Sequence, residues 1–331
     1  MRRFGLLVVA CACSPPTTIQ DTLIADRDRG DVVAIRNHGW ELWTPLAVGE
    51  QWNEWAPTER MFQHAPIAAP RFRPPRPFRN GDEMVAETLP VMFDVVFDPH
   101  AQRHVAAHRL GERAVLDRMD EFPAFPTDAI AIKLTWYAVK AHGTTTMPIW
   151  DGEEPDAEGN PDRTWQRTIT IDPESGAGLS AFIHRDLTDA DVASARVATR
   201  DPSLAPGDHV VLVAAHVTTK EIPDWTWQTY WWHDAPDAGR FAADRPPELH
   251  GATANYLMDA TYSTEQPCFN PWLEARFPDG LASNCVTCHQ RAVVGAADYL
   301  PVTRGRLRAD DPYFRGHLAT DFLWSVTFES R

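Results

Sequence analysis

The heptapeptide NCVTCHQ, at residues 284–290, has the residue types and spacing best suited to chemistry in this chain. Cys285 and Cys288 lie three positions apart, and His289 follows directly. A c-type haem needs two sulfurs for two neighbouring vinyl groups and an imidazole beneath the ring to bind the iron. A separation of one helical turn places both sulfurs on the same side of the backbone. The motif therefore predicts one covalently attached haem c, with His289 as the axial iron ligand.

Two other kinds of site use the same residue types. A structural zinc site needs four ligands, and the motif supplies three, with Cys268 as the only further cysteine nearby. Adjacent Cys288 and His289 are awkward for tetrahedral binding, and the chain has no second C-x-x-C. A thioredoxin-like redox pair requires a helix start after a strand in a βαβ unit, whereas the loop-like FPDGLASN precedes this motif. Both alternatives stay open, and the spacing favours haem.

Longer segments of the chain carry a resemblance to a family. These segments are HGWELWTPL, HVVLVAAHVTTKEIPDWTWQTYWW, NYLMDATYS, PCFNPWLEARFPDGLASNCVTCHQRA and DFLWSV. Through them the chain resembles a group of uncharacterised bacterial exported proteins described as cytochrome c family proteins. The resemblance implies a single-haem exported protein and no particular substrate. Small cytochromes c differ, because their motif opens a compact helical domain and a methionine follows, whereas no methionine occurs here after Met258.

The group on the opposite face of the iron separates the functional classes. A second strong protein ligand suits electron transfer, whereas an open position suits binding or activation of a small molecule such as peroxide. The candidates, in order, are His216 in the apolar run VVLVAAHV, then Met258, then His317. Their ordinary interpretations are a hydrogen-bonded core histidine, a core-filling methionine and a surface histidine. His216 comes first because an imidazole in an apolar strand needs partners for its nitrogens.

The N-terminal stretch MRRFGLLVVACACSPP is typical of an export signal. Arg2 and Arg3 precede an apolar run that is too short to span a bilayer. The small residues before Cys11 and Cys13 resemble a bacterial lipoprotein processing box, which implies a lipid-modified cysteine. Cys13 is preferred because it leaves a longer apolar run, and ordinary secretion is the alternative. We predict a signal peptide at residues 1–13, a periplasmic, outer-membrane or cell-surface location, and membrane contact only through lipid.

The net charge indicates which partners suit the protein, and the cysteine count indicates whether it binds a cofactor. The formal net charge is −15, which disfavours nucleic acid and anionic membrane surfaces and favours a redox partner protein with a basic face. Three cysteines remain after the predicted processing pair. An odd number fits poorly with a pure disulfide framework in an oxidising compartment, and it fits well if a cofactor takes two.

Hydrophobic patterning predicts the elements that position the motif. Five segments have the alternation or apolar character of strands, at 91–99, 129–140, 164–172, 209–220 and 225–232. Residues 209–220 are apolar on both faces and are therefore expected at the centre of a sheet. Long irregular connections and 28 prolines favour an antiparallel or mixed, sandwich-like sheet with peripheral helices. We predict an α+β fold.

The predicted organisation follows from these elements. Residues 14–30 are expected to be a tether, 31–236 a β-rich body, and 237–331 a C-terminal loop and helix segment that carries the haem motif. This segment has few aliphatic residues, so we expect it to pack on the body. The leading hypothesis is an exported monohaem cytochrome that transfers single electrons. The alternatives are a five-coordinate haem enzyme of peroxidase or oxidase type, and a zinc- or ligand-binding lipoprotein without haem. No catalytic acid–base pair is assigned.

Overall fold

The computed structural model describes residues 18–63, 71–74, 78–80, 83–85, 89–151, 167–175, 178–274, 280–295 and 305–331. Its strands are Ala56–Pro57 (β1), Phe78–Asn80 (β2), Glu83–Val85 (β3), Val91–Phe97 (β4), Ile130–Val139 (β5), Thr145–Ile149 (β6), Arg167–Ile171 (β7), His184–Asp186 (β8), His209–Thr219 (β9), Thr226–Trp232 (β10) and Tyr256–Thr261 (β11). Its α-helices are Ile19–Arg29 (α1), Val32–Gly49 (α2), Thr58–Gln63 (α3), Pro99–His108 (α4), Arg113–Leu116 (α5), Asp189–Thr199 (α6), Cys285–His289 (α7) and Trp324–Glu329 (α8).

Seven strands form one antiparallel sheet, which confirms the predicted α+β class with a β-rich body. The strand order is β1-β4-β5-β9-β10-β11, and β8 pairs with the start of β9. Strand β9 is central, since β5 pairs along its whole length and β8 and β10 share its other edge. Its run of valines and alanines is buried on both faces, as the continuous apolar pattern predicts. Strand β7, from the predicted segment 164–172, pairs with β6 in a separate two-stranded sheet.

Helix α2 covers one face of the sheet, which we call the α2 face. Trp43 of α2 stacks on the ring of Tyr230 with centroids 4.3 Å apart. The Tyr230 hydroxyl donates a hydrogen bond to the carbonyl of Gly39. A Cβ atom at Gly39 would lie 3.3 Å from the Met258 methyl group, so glycine permits this close approach. Tyr230 and Met258 therefore both belong to the α2 face.

The opposite face, which we call the motif face, carries a row of polar side chains. Register pairing across β5, β9, β10 and β11 aligns Lys133, His216, Thr229 and Asp259. Residues 268–274 and helix α7 cover this row. Asn270 donates a hydrogen bond of 2.6 Å to the Thr229 hydroxyl, which fixes the covering segment to the sheet. The C-terminal segment thus packs directly on the β-rich body.

Two predicted boundaries need correction. Residues 19–29, predicted as tether, form helix α1, which begins with a capping box between Thr18 and Asp21 and ends at Gly30 with φ 63°. Strand β11 lies beyond the boundary predicted at residue 236, so the sheet takes one strand from the C-terminal segment. The predicted signal peptide, with Cys11 and Cys13, lies outside the described residues. None of the helices in the described ranges is long and apolar enough to cross a membrane.

Candidate functional site

Asn284 determines where the motif helix begins. Its side-chain oxygen accepts a 2.9 Å hydrogen bond from the Thr287 amide, which caps the N-terminus of α7. Its side-chain nitrogen donates to the carbonyls of Gln266 and Ser263, at 2.6 and 3.0 Å. A five-residue helix is too short to be stable alone, so these contacts hold it in place. One asparagine thus starts the helix and joins it to the segment that follows β11.

The first motif cysteine contacts a third cysteine. Cys285 is buried, and its sulfur lies 3.7 Å from the sulfur of Cys268. The Cys268 amide donates a 2.9 Å hydrogen bond to the Ser283 carbonyl, which fixes the two backbones side by side. Burial raises the pKa of the Cys268 thiol well above its usual range, so Cys268 stays protonated. Cys288 is partly buried.

His289 is held in a defined tautomer. Its Nδ1 lies 2.8 Å from the Phe322 carbonyl oxygen, and because a carbonyl only accepts, Nδ1 must donate. Burial lowers the pKa of His289 to about 4, against the opposing effect of this hydrogen bond. The ring of Trp227 packs against the imidazole with centroids 4.1 Å apart. The ring is therefore neutral near pH 7, with its Nε2 lone pair available for a metal.

The carbonyl that binds His289 comes from a strained turn. Asp321 and Phe322 have φ values of 48° and 70°, a left-handed conformation that residues with a side chain adopt rarely. The Asp321 carboxylate holds this turn, since it accepts from the Phe125 amide at 2.9 Å and from Lys220 Nζ at 2.5 Å. Such strain persists only where surrounding contacts enforce it. The turn thereby directs the Phe322 carbonyl at His289.

His216 lies on the motif face with an unsatisfied nitrogen. Its Nε2 is buried without a hydrogen-bond partner, and Glu274 Oε1 is 3.9 Å away, too far for a hydrogen bond. Burial, and then the charges of Lys133 and His289, lower the pKa of His216 well below its usual value. Burial raises the pKa of Glu274 to about 7. The first-ranked distal candidate is thus close enough to His289 for their charges to interact.

The other two distal candidates lie elsewhere. Met258 packs against Gly39 on the α2 face, so the sheet separates it from His289. Neighbouring positions on a strand face opposite ways, and Met258 pairs with Tyr230 one step along from the Thr229–Asp259 pair. His317 is exposed in the loop before α8. The structure therefore places His216 beneath the segment that carries the motif and Met258 on the opposite face of the sheet, while His317 lines a cavity beside α7.

A cavity of about 730 Å³ lies beside the motif helix. Val286 of α7 and Gln290, which caps the end of this helix, line it together with Phe322. Its charged lining residues are Arg27, Asp28, Asp120, Glu121, Asp224, Glu265, Arg306 and Asp321. Cys285 packs on Cys268, and His289 packs on Trp227 of the sheet. Within the described ranges, no group of three or more His, Cys, Asp or Glu side chains is arranged to hold a metal ion.

Three residues of this site were not predicted from the sequence. Lys133 occupies the position that alternation assigns to an outward face, but the C-terminal segment covers that face. Glu274 lies in a loop with no periodic signal, and the left-handed conformation of Phe322 is not expected for an aromatic residue. Asn284 had a local signal, because asparagine is a preferred N-cap and the motif predicts a helical turn after it.

Comparison with known proteins adds no relative. No protein-family model, no curated protein and no solved structure matches the chain. The function is therefore inferred from the motif and from the geometry around it.

Proposed function

We propose that the protein is an exported c-type cytochrome that transfers single electrons. One haem would be bound through thioethers to Cys285 and Cys288, with His289 as the axial iron ligand. The observation that carries this proposal is the hydrogen bond from His289 Nδ1 to the Phe322 carbonyl. It fixes the tautomer whose Nε2 binds a metal, and the depressed pKa keeps that nitrogen unprotonated.

The donor set fits a haem c in its chemistry. The two motif sulfurs are one helical turn apart in α7, and the imidazole next to them is neutral. The Nε2 of His216 is buried without a hydrogen-bond partner. It would gain one if it bound the iron as the second protein ligand. The packing sets one requirement, because Cys285 contacts Cys268 and His289 contacts Trp227. Haem attachment would have to separate these contacts and move the motif segment away from the sheet.

Each residue has a distinct part in this proposal. The haem iron, when bound, supplies the one-electron change. The Phe322 carbonyl orients His289 by accepting a hydrogen bond from its Nδ1–H, which would make Nε2 a stronger donor to iron. Before haem attachment, the indole of Trp227 covers one side of the imidazole. His216 would be the second protein ligand of the iron, and two protein ligands would favour electron transfer over chemistry on a bound molecule.

A haem enzyme of peroxidase or oxidase type is the second candidate, and one observation favours it. His216 Nε2 lies 3.9 Å from Glu274 Oε1, and both side chains are on the same buried face as Lys133. A neutral imidazole beside a carboxyl group with a pKa of about 7 is a suitable pair for moving a proton near neutral pH. In that case the sixth position would be open, and His216 would act as a base without binding iron.

The proposed location and partner rest on the sequence. An N-terminal signal with Cys13 or Cys11 as a lipidation site would place the protein in the periplasm or at the outer-membrane or cell surface. A net charge of −15 would attract a redox partner with a basic face.

The test is production of the full chain in a host that attaches haem to exported proteins. We expect a red product with a pyridine haemochrome spectrum and a mass increased by one haem. Cys285→Ser and Cys288→Ser should each reduce or abolish covalent loading. A colourless product with the mass of bare polypeptide, with or without lipid, would contradict the proposal and favour a haem-free binding protein.

The ferrous protein distinguishes the two haem candidates. His216→Ala should convert a low-spin spectrum to a high-spin one, while Met258→Ala, the matched control on the α2 face, should not. Rapid carbon monoxide binding by the unaltered protein would instead favour the enzyme with an open position.

A further inference from the structure

The sulfur contact between Cys268 and Cys285 has no part in haem binding as proposed above. The two sulfurs lie 3.7 Å apart, and a disulfide requires about 2.0 Å. The backbones are already fixed side by side, since Cys268 forms a parallel bridge with Asn284 and its amide donates to Ser283. Rotation of the side chains, without movement of the chain, is therefore the main change needed to form the bond.

We propose that Cys268 and Cys285 form a disulfide when the haem-free chain is oxidised, and that this bond withholds Cys285 from haem attachment. The second half of this inference rests on the proposed function. The disulfide would link residue 268 to α7 across the segment containing Asn270 and Glu274, which cover the motif face. It therefore also holds the cover over His216 closed. This proposal explains the odd number of cysteines outside the predicted signal peptide. Cys285 would be bonded either to Cys268 in the haem-free chain or to haem in the loaded one.

The oxidation removes two protons and two electrons from the two thiols. Cys285 is 8% exposed and Cys268 only 1%, so Cys285 is the sulfur that an external oxidant reaches first. Its thiolate attacks the disulfide of an exported thiol oxidant, forms a mixed disulfide and releases one thiol of that oxidant. The Cys268 thiol then loses its proton to solvent, and its sulfur attacks the Cys285 sulfur of the mixed disulfide, which releases the second thiol and leaves the oxidant reduced.

Reversal of the same exchange by an exported dithiol returns both thiols. Cys285 is then available for a thioether, and Cys268 remains a buried thiol beside it. Attachment of haem would thus require prior reduction of this cysteine pair in addition to supply of haem.

The experiment uses the full chain produced without haem-attachment machinery. The protein is incubated with oxidised glutathione, alkylated, digested and mapped by mass spectrometry. We expect one linked pair of peptides, containing Cys268 and Cys285, with a loss of two hydrogens, and an alkylated Cys288. Cys288→Ser should keep this link, and Cys268→Ser should lose it. A link only between Cys285 and Cys288, or no link in the unaltered protein, overturns the inference.

A second measurement keeps the two proposals separate. In a haem-attaching host, Cys268→Ser and Cys268→Ala should load haem without an exported dithiol reductant, whereas the unaltered chain should lose loading when that reductant is removed. Loading of the unaltered chain that does not depend on the reductant overturns the inference and leaves the cytochrome proposal intact. A colourless product in every host removes the cytochrome proposal, while the disulfide map of the haem-free protein still decides whether the cysteine pair forms.

Discussion

The pH dependence of stability at Asp259 can test whether the C-terminal segment buries the polar row of the motif face. Its Oδ1 accepts a 3.0 Å hydrogen bond from the Ala260 amide, while its Oδ2 is buried without a partner. Burial, opposed mainly by Arg240 and to a lesser extent by Arg36, raises the pKa of Asp259 from its ordinary 3.8 to about 6. The folded chain therefore holds this proton in a pH range where the unfolded chain has released it. Stability should fall as pH rises from about 3.8 to about 6.

The magnitude follows from the two pKa values. A carboxyl group with pKa about 6 in the folded state and 3.8 in the unfolded state destabilises the fold by about 3 kcal/mol once ionised. Between about pH 5 and about pH 8, this destabilisation grows by roughly 1.4 kcal/mol. Asp259→Asn has nearly the same shape and no charge to bury. Any packing effect of the amide is the same at both pH values, so the pH-dependent part of the difference isolates the buried charge.

The assay is urea unfolding of the full chain and of Asp259→Asn at these two pH values. We expect the stability of the variant relative to the unaltered chain to rise by roughly 1.4 kcal/mol from the lower to the higher pH. Asp310→Asn is the control, because Asp310 is 74% exposed and should show no such trend. The same relative stability at both pH values would refute the burial of Asp259 beneath the C-terminal segment.

Three further predictions concern the motif segment and its partner. Asn284→Ala removes the cap of α7 and two hydrogen bonds to the preceding segment, so the free energy of unfolding measured in urea should fall by about 2 kcal/mol. An unchanged stability would contradict the anchoring role of Asn284. Asp321→Ala leaves Lys220, whose side chain is 6% exposed, without its ion-pair partner, and should destabilise the fold by about 3 kcal/mol. Asp310→Ala, which breaks an exposed ion pair, should change the stability little. Equal effects of these two substitutions would count against the strained turn being held by that ion pair. If the protein passes electrons to a basic partner, the bimolecular rate measured by stopped flow should fall steeply as salt rises, and a rate independent of salt would argue against electrostatic steering.

Local sequence was sufficient for much of the framework. The apolar run of β9 predicts a strand buried on both faces, and the alternation in β4 and β5 predicts that each is a strand. Their antiparallel pairing is seen only in the structure. Local signals were also present where the prediction failed. Thr18 and Asp21 have the spacing of a capping box, which indicates a helix where a tether was expected.

Covalent spacing is a local property, so the chemistry that Cys285, Cys288 and His289 offer can be read from the sequence. The distant groups that contact them are known only from the folded structure. Strand register places His216 on the motif face and Met258 on the α2 face, and residues that are one step apart in register point to opposite sides of a sheet. The strained carbonyl of Phe322 depends on contacts from other parts of the chain, so no local pattern encodes it.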